Sequence, residues 1–456
     1  MVERYLAHYF KIHFAKPDFP TPFSGEIDTN SSIKLFKHQE EIVRVLVRCH
    51  HEKRNFAVFA ETGTGKTRSI VDFIRTMRMV LSEELRVLVA CPYSLIGVWR
   101  DQIDHFGKFE TKVIHGPGRV ITDEPGFYLT SYGTLSNDWK QHSPYDIAIF
   151  DESHLLKNPQ SVRAKAACKV KAVIKIVMTG TPYGNEYKDL WSQMNVVDPQ
   201  IFGPRNVFED AFCEFGGYEN KEIVGYRNTD LMFEILKRNS IIIRKKDCLD
   251  LPPKLYTVLK VPMNDKQTAA YNRCLEGGVE DMPISAILQQ IAKLRQISSG
   301  FVYYGDEVIG YGTAKTAYLR DLQYESPTII WYNFNEELRQ ITENLPCDFV
   351  VADGSHKASE AVNLFESGKA NVIIAQMKTL QYGFTLNRTS RVIYFSGCFS
   401  GLDRQQSEDR CHRIGQTKSV NYIDLIGSPI EEWMKAAVDQ KKNVQDYVLE
   451  RLLGKV

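Results

Sequence analysis

The sequence carries almost no net charge: 57 Lys and Arg stand against 56 Asp and Glu in 456 residues. A global field for an acidic polymer is thereby excluded, and any nucleic-acid partner has to be held in a local basic channel. No Cys-x-x-Cys spacing occurs among the nine cysteines, at 49, 91, 168, 213, 248, 274, 347, 398 and 411, so neither a zinc cluster nor a redox pair is indicated. Scattered, odd-numbered thiols suit a reducing compartment. No apolar run approaches the ~18 residues that cross a bilayer, and Met1 to Phe10, with Glu3 and Arg4, lacks the profile of a secretory leader. The expectation is a cytoplasmic or nuclear protein with no membrane contact. Short-period repeats and low-complexity tracts are also missing.

What is present is a composition of 43% hydrophobic and 25% charged residues, the balance of a soluble globular chain. Its length predicts two or three domains. Residues 1–32 read as an arm, with Pro17, Pro20, Pro22 and Gly25 ahead of the polar run Asp28 to Ser32. Beyond it strand-like and helix-like patterns alternate, which predicts parallel α/β construction. Strands are expected over 55–60, 86–91, 146–150 and 173–178, then over 328–331, 348–351, 372–375, 391–395 and 420–426. Between about 200 and 325 helical patterns and glycines dominate. Two α/β blocks therefore flank a mainly helical middle, and the lobes are expected at 33–250 and 251–456, each with a helical insertion, at about 200–240 and 264–312. Pro252-Pro253 reads as a stiff hinge, because proline fixes φ and removes a donor.

Glu61-Thr62-Gly63-Thr64-Gly65-Lys66-Thr67 follows the first apolar strand and opens a helix, the context of a phosphate-binding loop. Glycines let backbone N–H groups turn toward phosphate oxygens, and the helix N-terminus favours the anion. Lys66 is then expected at the β- and γ-phosphates of ATP and Thr67 on Mg²⁺. A glycine-rich turn without function would fit these residues taken alone. Asp151-Glu152-Ser153-His154 ends the apolar run Ile147 to Phe150. Two carboxylates there are costly unless they hold a metal or a proton. Asp151 is expected to position Mg²⁺ and Glu152 to polarise water, although a solvated turn would also suit Asp-Glu-Ser. Asn158 and Pro159 read as the N-cap and first position of the next helix.

Further segments resemble the Swi/Snf branch of helicase superfamily 2. Leu35-Phe36-Lys37-His38-Gln39 is similar to the segment whose Gln, here Gln39, reads adenine. Cys91-Pro92-Tyr93-Ser94-Leu95 with Trp99 resembles motif Ia, and Thr130-Ser131-Tyr132-Gly133-Thr134-Leu135 motif Ib. Met178-Thr179-Gly180-Thr181-Pro182, with Asn185 and Asp189-Leu190-Trp191, resembles motif III. Ile243-Arg244-Lys245-Lys246 and Leu251-Pro252-Pro253-Lys254 resemble the linker between lobes, and Leu294-Arg295-Gln296-Ile297 the helical insertion after it. Gln406-Ser407-Glu408-Asp409-Arg410-Cys411-His412-Arg413-Ile414-Gly415-Gln416 is close to motif VI. The first position of the phosphate loop is Ala60 where the general pattern has Gly, a departure superfamily 2 shares. Where motif V carries a Gly-Gly pair, this chain has Gln376 to Gly383, and only Gly383 and Phe384-Thr385-Leu386 match.

The resemblance covers about residues 33 to 435. It implies an α/β fold of two RecA-like parallel-sheet lobes with short helical insertions, a compact form with little beyond the motor core. It implies a DNA-dependent ATPase that translocates on double-stranded DNA. ATP contacts would come from Gln39, Thr62, Gly63, Thr64, Gly65, Lys66, Thr67, Gly383, Arg410 and Arg413. Thr67 and Asp151 would hold Mg²⁺, and Lys66, Asp151, Glu152, Arg410 and Arg413 would carry catalysis. His154, Thr179, Gly180, Thr181 and Gln406 would couple hydrolysis to motion. Ser131, Tyr132, Lys378 and Thr379 would contact DNA, and Trp99 is expected to pack in the core. Arg410 and Arg413, three apart, are expected on one helix face, reaching ATP from the second lobe. A strand-separating DNA or RNA helicase, and an ATP-binding structural subunit of a larger nucleoprotein complex, stay open as alternatives.

Overall fold

A computed structural model describes residues 20–27, 34–183, 186–217, 222–276, 284–353, 358–377, 384–440 and 444–452. The chain divides into two compact units, Met1–Leu249 and Asp250–Val456.

In the first unit, strands β1 (Phe56–Ala60), β2 (Arg86–Cys91), β3 (Thr111–Ile114), β4 (Gly126–Ser131), β5 (Tyr145–Asp151) and β6 (Ala172–Thr179) alternate with helices. A hairpin of β7 (Cys213–Gly216) and β8 (Glu222–Tyr226) follows, then β9 (Ser240–Ile243). The main sheet is parallel in the order β3-β4-β2-β5-β6-β1-β9. Every residue of β1 and β2 is buried, as parallel strands covered on both faces should be. The apolar runs that announce these strands are thus the signature of a sheet sandwiched between helices.

The second unit contains β10 (Lys254–Lys260), the hairpin β11 (Phe301–Tyr304) and β12 (Glu307–Gly310), and β13 (Thr328–Tyr332), β14 (Phe349–Ala352), β15 (Val372–Gln376), β16 (Arg391–Tyr394) and β17 (Val420–Ile426). Its main sheet is parallel in the order β10-β17-β16-β13-β15-β14. Trp331, Tyr394 and Tyr422 are fully buried in it, each such side chain contributing on the order of 2 kcal/mol of transfer free energy. Lys315 and Glu431 form a buried ion pair at 2.5 Å, and the Lys315 ammonium also donates to the Phe395 carbonyl at 2.9 Å. The architecture is α/β, two parallel sheets flanked by helices, as the alternation predicts.

Three local expectations are corrected. The middle of the chain holds β7 to β12 as well as helices; β9 is an edge strand of the first unit's main sheet and β10 an edge strand of the second's. β10 begins directly after Pro252-Pro253, and the Pro252 carbonyl is bonded to the His412 ring at 3.0 Å. Asn158 is not a helix N-cap: its carboxamide oxygen accepts from Gln160 N–H at 3.0 Å, and Ser161 caps the helix Val162–Lys169 by accepting from Ala164 N–H. The helix Gly401–Glu408 stops before Arg410 and Arg413, which lie in the turns that follow it.

Candidate active site

The phosphate loop leaves the C-terminal end of β1 and enters the helix Lys66–Leu81. Gly63 and Gly65 have φ of 87° and 88°, a left-handed backbone that glycine adopts without steric cost. A Cβ on Gly65 would meet Gln39 Nε2 at 2.0 Å, and one on Gly180 would meet Thr62 N at 2.8 Å. The loop is thus clamped between the helix Lys37–His51 and the end of β6. His38 Nε2 lies 2.8 Å from the Thr64 carbonyl, and Gln39 Nε2 donates to the same oxygen at 3.1 Å. Gln39 Oε1 accepts from Phe36 N–H at 3.1 Å. The amide expected at adenine is committed here to the loop and its own helix.

Lys66 is buried and its ammonium donates to the Ala60 carbonyl at 2.8 Å. Thr64 N–H and Oγ1–H both donate to the Glu61 carbonyl, and Glu61 Oε2 accepts from Lys245 N–H at 2.9 Å. The first helical turn keeps N–H groups without intrahelical acceptors, and its dipole favours an anion. Loop glycines, a buried lysine and a helix N-terminus fit a phosphate group. The oxygen donors Thr67 and Asp151 are of the kind Mg²⁺ takes.

β5 delivers the two carboxylates, and in the sheet only β6 stands between β5 and β1. Asp151 is 4% exposed and Glu152 8%. Burial pushes Asp151 well above the ordinary carboxylate range, and the neighbouring Glu152 adds to the shift; Lys66 and the Trp99 indole oppose it. Glu152 sits at φ 52°, ψ 50°, a left-handed conformation that costs a non-glycine residue about 1–2 kcal/mol. From this position its carboxylate meets the end of β6. There Thr179 Oγ1–H donates to Glu152 Oε2 at 3.3 Å, and His154 Nδ1 lies 3.2 Å from Glu152 Oε2 and 3.1 Å from Thr179 Oγ1. Thr181 N–H donates to Thr179 Oγ1 at 3.2 Å. The acidic segment, His154 and the Thr179-Gly180-Thr181 segment form one hydrogen-bonded cluster.

Trp99 lies in the core at 1% exposure, and its indole N–H donates to Asp151 Oδ2 at 2.8 Å. Tyr132, expected at DNA, is 3% exposed, and its hydroxyl donates to the Asp151 carbonyl at 2.7 Å. The Tyr132 side chain is thus turned into the protein and not toward solvent. Ser131 is partly buried and caps the helix Tyr132–Asp138, accepting from Thr134 N–H at 3.1 Å.

In the second unit, Arg410 and Arg413 each donate through Nη1 to the Phe384 carbonyl at 3.2 Å. Burial pulls Arg413 down to about 10, with Arg410 beside it pushing the same way. Arg404 forms a forked pair with Asp424 and bonds Glu408 at 2.7 Å, while Glu408 also accepts from Lys254 and Tyr256, each at 2.8 Å. The motif that carries the two arginines is in this way fastened to β10 and β17. Gln406 is buried, and among the described residues its Oε1 has no hydrogen-bond partner. Gly383, Lys378, Thr379 and Asn185 lie outside the described residues.

Sequence reasoning singled out Gln39 but not His38, which reaches the same carbonyl. Their adjacency was the available signal. It missed the Trp99–Asp151 bond, for which a tryptophan shortly after a strand end gives no cue.

The model of the SNF2-related domain matches residues 38–308. An uncharacterized ATP-dependent helicase of Mycoplasma genitalium is 26% identical over 92% of this chain and 43% of its own length. The ISWI chromatin-remodeling complex ATPase ISW2 of Saccharomyces cerevisiae is 24% identical over 92% of this chain and 41% of its own. The chain thus spans less than half of these relatives. The Sulfolobus solfataricus SWI2/SNF2 ATPase core in complex with dsDNA is 20% identical, covers 92% of both chains and has a TM-score of 0.47.

Proposed function

The chain belongs to the SNF2-related domain family, and from that premise we propose that it is a DNA-dependent ATPase that translocates on double-stranded DNA. The observation that carries the reading is the cluster at the ends of β1, β5 and β6: a glycine loop and buried Lys66 beside two buried carboxylates, one of them bonded to Thr179. A structural turn has no use for two buried acids, whose desolvation costs several kcal/mol.

In this reading the N–H groups from Thr62 to Thr67, with Lys66, bind and orient the phosphates of ATP. Thr67 and Asp151 hold Mg²⁺, which supplies charge neutralisation. Glu152 orients water and takes its proton, its carboxylate held by Thr179 and His154. Arg410 and Arg413 are the cations on which turnover depends. Ser131, Lys378 and Thr379 contribute to a phosphate-tracking surface that gives salt-sensitive, sequence-independent affinity. Among the described residues no helix is long and apolar enough to cross a membrane, and a cytoplasmic or nuclear location is proposed.

The test is the ATPase rate without nucleic acid and with duplex DNA, single-stranded DNA or RNA, at low and moderate salt. Stimulation chiefly by duplex, fading with salt, is expected. Stimulation chiefly by single strands or RNA would transfer the protein to the helicase alternative, and no stimulation by any of them would leave it an ATP-binding subunit.

A further inference from the structure

Asp151 is held at three atoms by three different segments. Its Oδ1 accepts from Glu152 N–H at 2.9 Å, its Oδ2 from the Trp99 indole at 2.8 Å, and its main-chain carbonyl from the Tyr132 hydroxyl at 2.7 Å. The last two donors arrive from outside the acidic segment. Trp99 stands in the helix Ile96–Phe106, which begins just after the Cys91-to-Leu95 stretch that follows β2. Tyr132 opens the helix after β4. β2 lies between β4 and β5 in the sheet, so both segments emerge beside the end of β5. Each also runs on to the surface: Tyr93 is 63% exposed and rests against the His115 ring at 4.4 Å, and Ser131 is partly buried.

Neither donor is needed merely to fill space. A phenylalanine would pack at either site, and a buried tryptophan or tyrosine brings its polar atom inward only where it finds a partner. Both choose the same residue. A metal ligand whose free lone pairs are fixed by outer donors has its orientation and affinity set by them. We propose that Trp99 and Tyr132 are positioning residues that transmit engagement of duplex DNA at the segments after β2 and β4 to the metal-holding carboxylate of Asp151. The proposal rests on the translocase reading. A shift of either segment on DNA turns or releases the carboxylate, so the two tethers make the affinity for Mg²⁺ depend on bound duplex.

The test uses the full chain with its indole groups labelled by ¹⁵N and observed by NMR. Mn²⁺·ADP is expected to broaden the Trp99 indole resonance first, since that group bonds the metal ligand directly. Adding a short duplex should then shift this same resonance in the Mg²⁺·ADP complex. In parallel, Trp99→Phe should raise the Mg²⁺ concentration that half-saturates ADP binding by about 10- to 100-fold and remove its dependence on duplex. Tyr132→Phe should weaken that dependence. If Trp99→Phe fails to fold, the wild-type spectra and Tyr132→Phe carry the test. Duplex that binds, by fluorescence anisotropy, while the Trp99 resonance stays in place overturns the tether alone. Mg²⁺ half-saturation unchanged in a folded Trp99→Phe chain overturns it as well. A wild-type chain that binds no duplex overturns the translocase reading and the tether together.

Discussion

Thr179 donates its hydroxyl to the carboxylate of Glu152 across 3.3 Å, joining the end of β6 to the acidic pair at the end of β5. The same hydroxyl oxygen accepts from Thr181 N–H, so one side chain ties Glu152 to the segment whose Gly180 abuts the phosphate loop. Replacing Thr179 by Val keeps the shape and removes the link. We predict that Thr179→Val binds ATP normally and loses roughly tenfold or more in kcat, a barrier change of about 1.4 kcal/mol or more. An unchanged kcat would separate Thr179 from the chemistry.

Lys66 and Glu152 are expected to fail differently. Lys66→Ala removes a buried cation aimed along the phosphate loop, and kcat/KM for ATP should fall by about 10²-fold or more. Glu152→Gln keeps the size of the side chain and removes its basicity. It should bind ATP with near wild-type affinity while hydrolysis falls by about 10²- to 10⁴-fold. Equal loss of affinity in both variants would argue that neither has the role assigned.

Arg410 and Arg413 converge on the carbonyl of Phe384, an arrangement of like charges that an anion would relieve. Arg413→Ala is predicted to lower DNA-stimulated turnover by roughly 10³-fold or more. Arg413→Lys should rescue little of it, because an ammonium does not reproduce the forked guanidinium. Full DNA stimulation in Arg413→Ala would show that this charge is dispensable.

Protonation of Asp151 gives a pH test. Burial raises its folded pKa above the unfolded value, to about 6. The sign is therefore that of a group whose stabilising contribution is present at low pH and lost as pH rises through about 6. His142 works the other way, because burial lowers its pKa to about 4, so the total curve mixes both. Subtracting the denaturation curve of Asp151→Asn isolates the carboxylate. Without Mg²⁺, wild type should lose stability relative to the variant as pH rises from about 3.8 to about 6, the interval between the ordinary and the raised value, and level off above it. Mg²⁺ with ADP should cancel the loss. A difference independent of pH would mean the carboxylate is not strained.

The central strands β1, β2, β5, β13 and β15 were legible because a strand buried on both faces reads as a nearly continuous apolar run. The phosphate loop and acidic pair were legible because each sits at the end of such a run. β10 was not, since Leu255, Tyr256 and Val258 are exposed on an edge strand and the prolines before it suggested a hinge. Arg410 and Arg413 looked helical because their spacing suits a helix. Yet the helix ends at Glu408, and the Arg410 carbonyl accepts instead from Leu386 N–H at 2.9 Å, a contact between distant segments that no local pattern contains. Tyr132 looked like a surface contact for the same reason: it packs in the core and its hydroxyl bonds the Asp151 carbonyl, nineteen positions on.

The most direct test of motion along duplex DNA is displacement of a third strand from a triplex, followed with ATP and with Glu152→Gln as control. The account predicts that wild type releases the third strand in an ATP-dependent way, that Glu152→Gln does not, and that the duplex beneath stays paired. ATP turnover without third-strand release, or release accompanied by separation of the duplex itself, would contradict it.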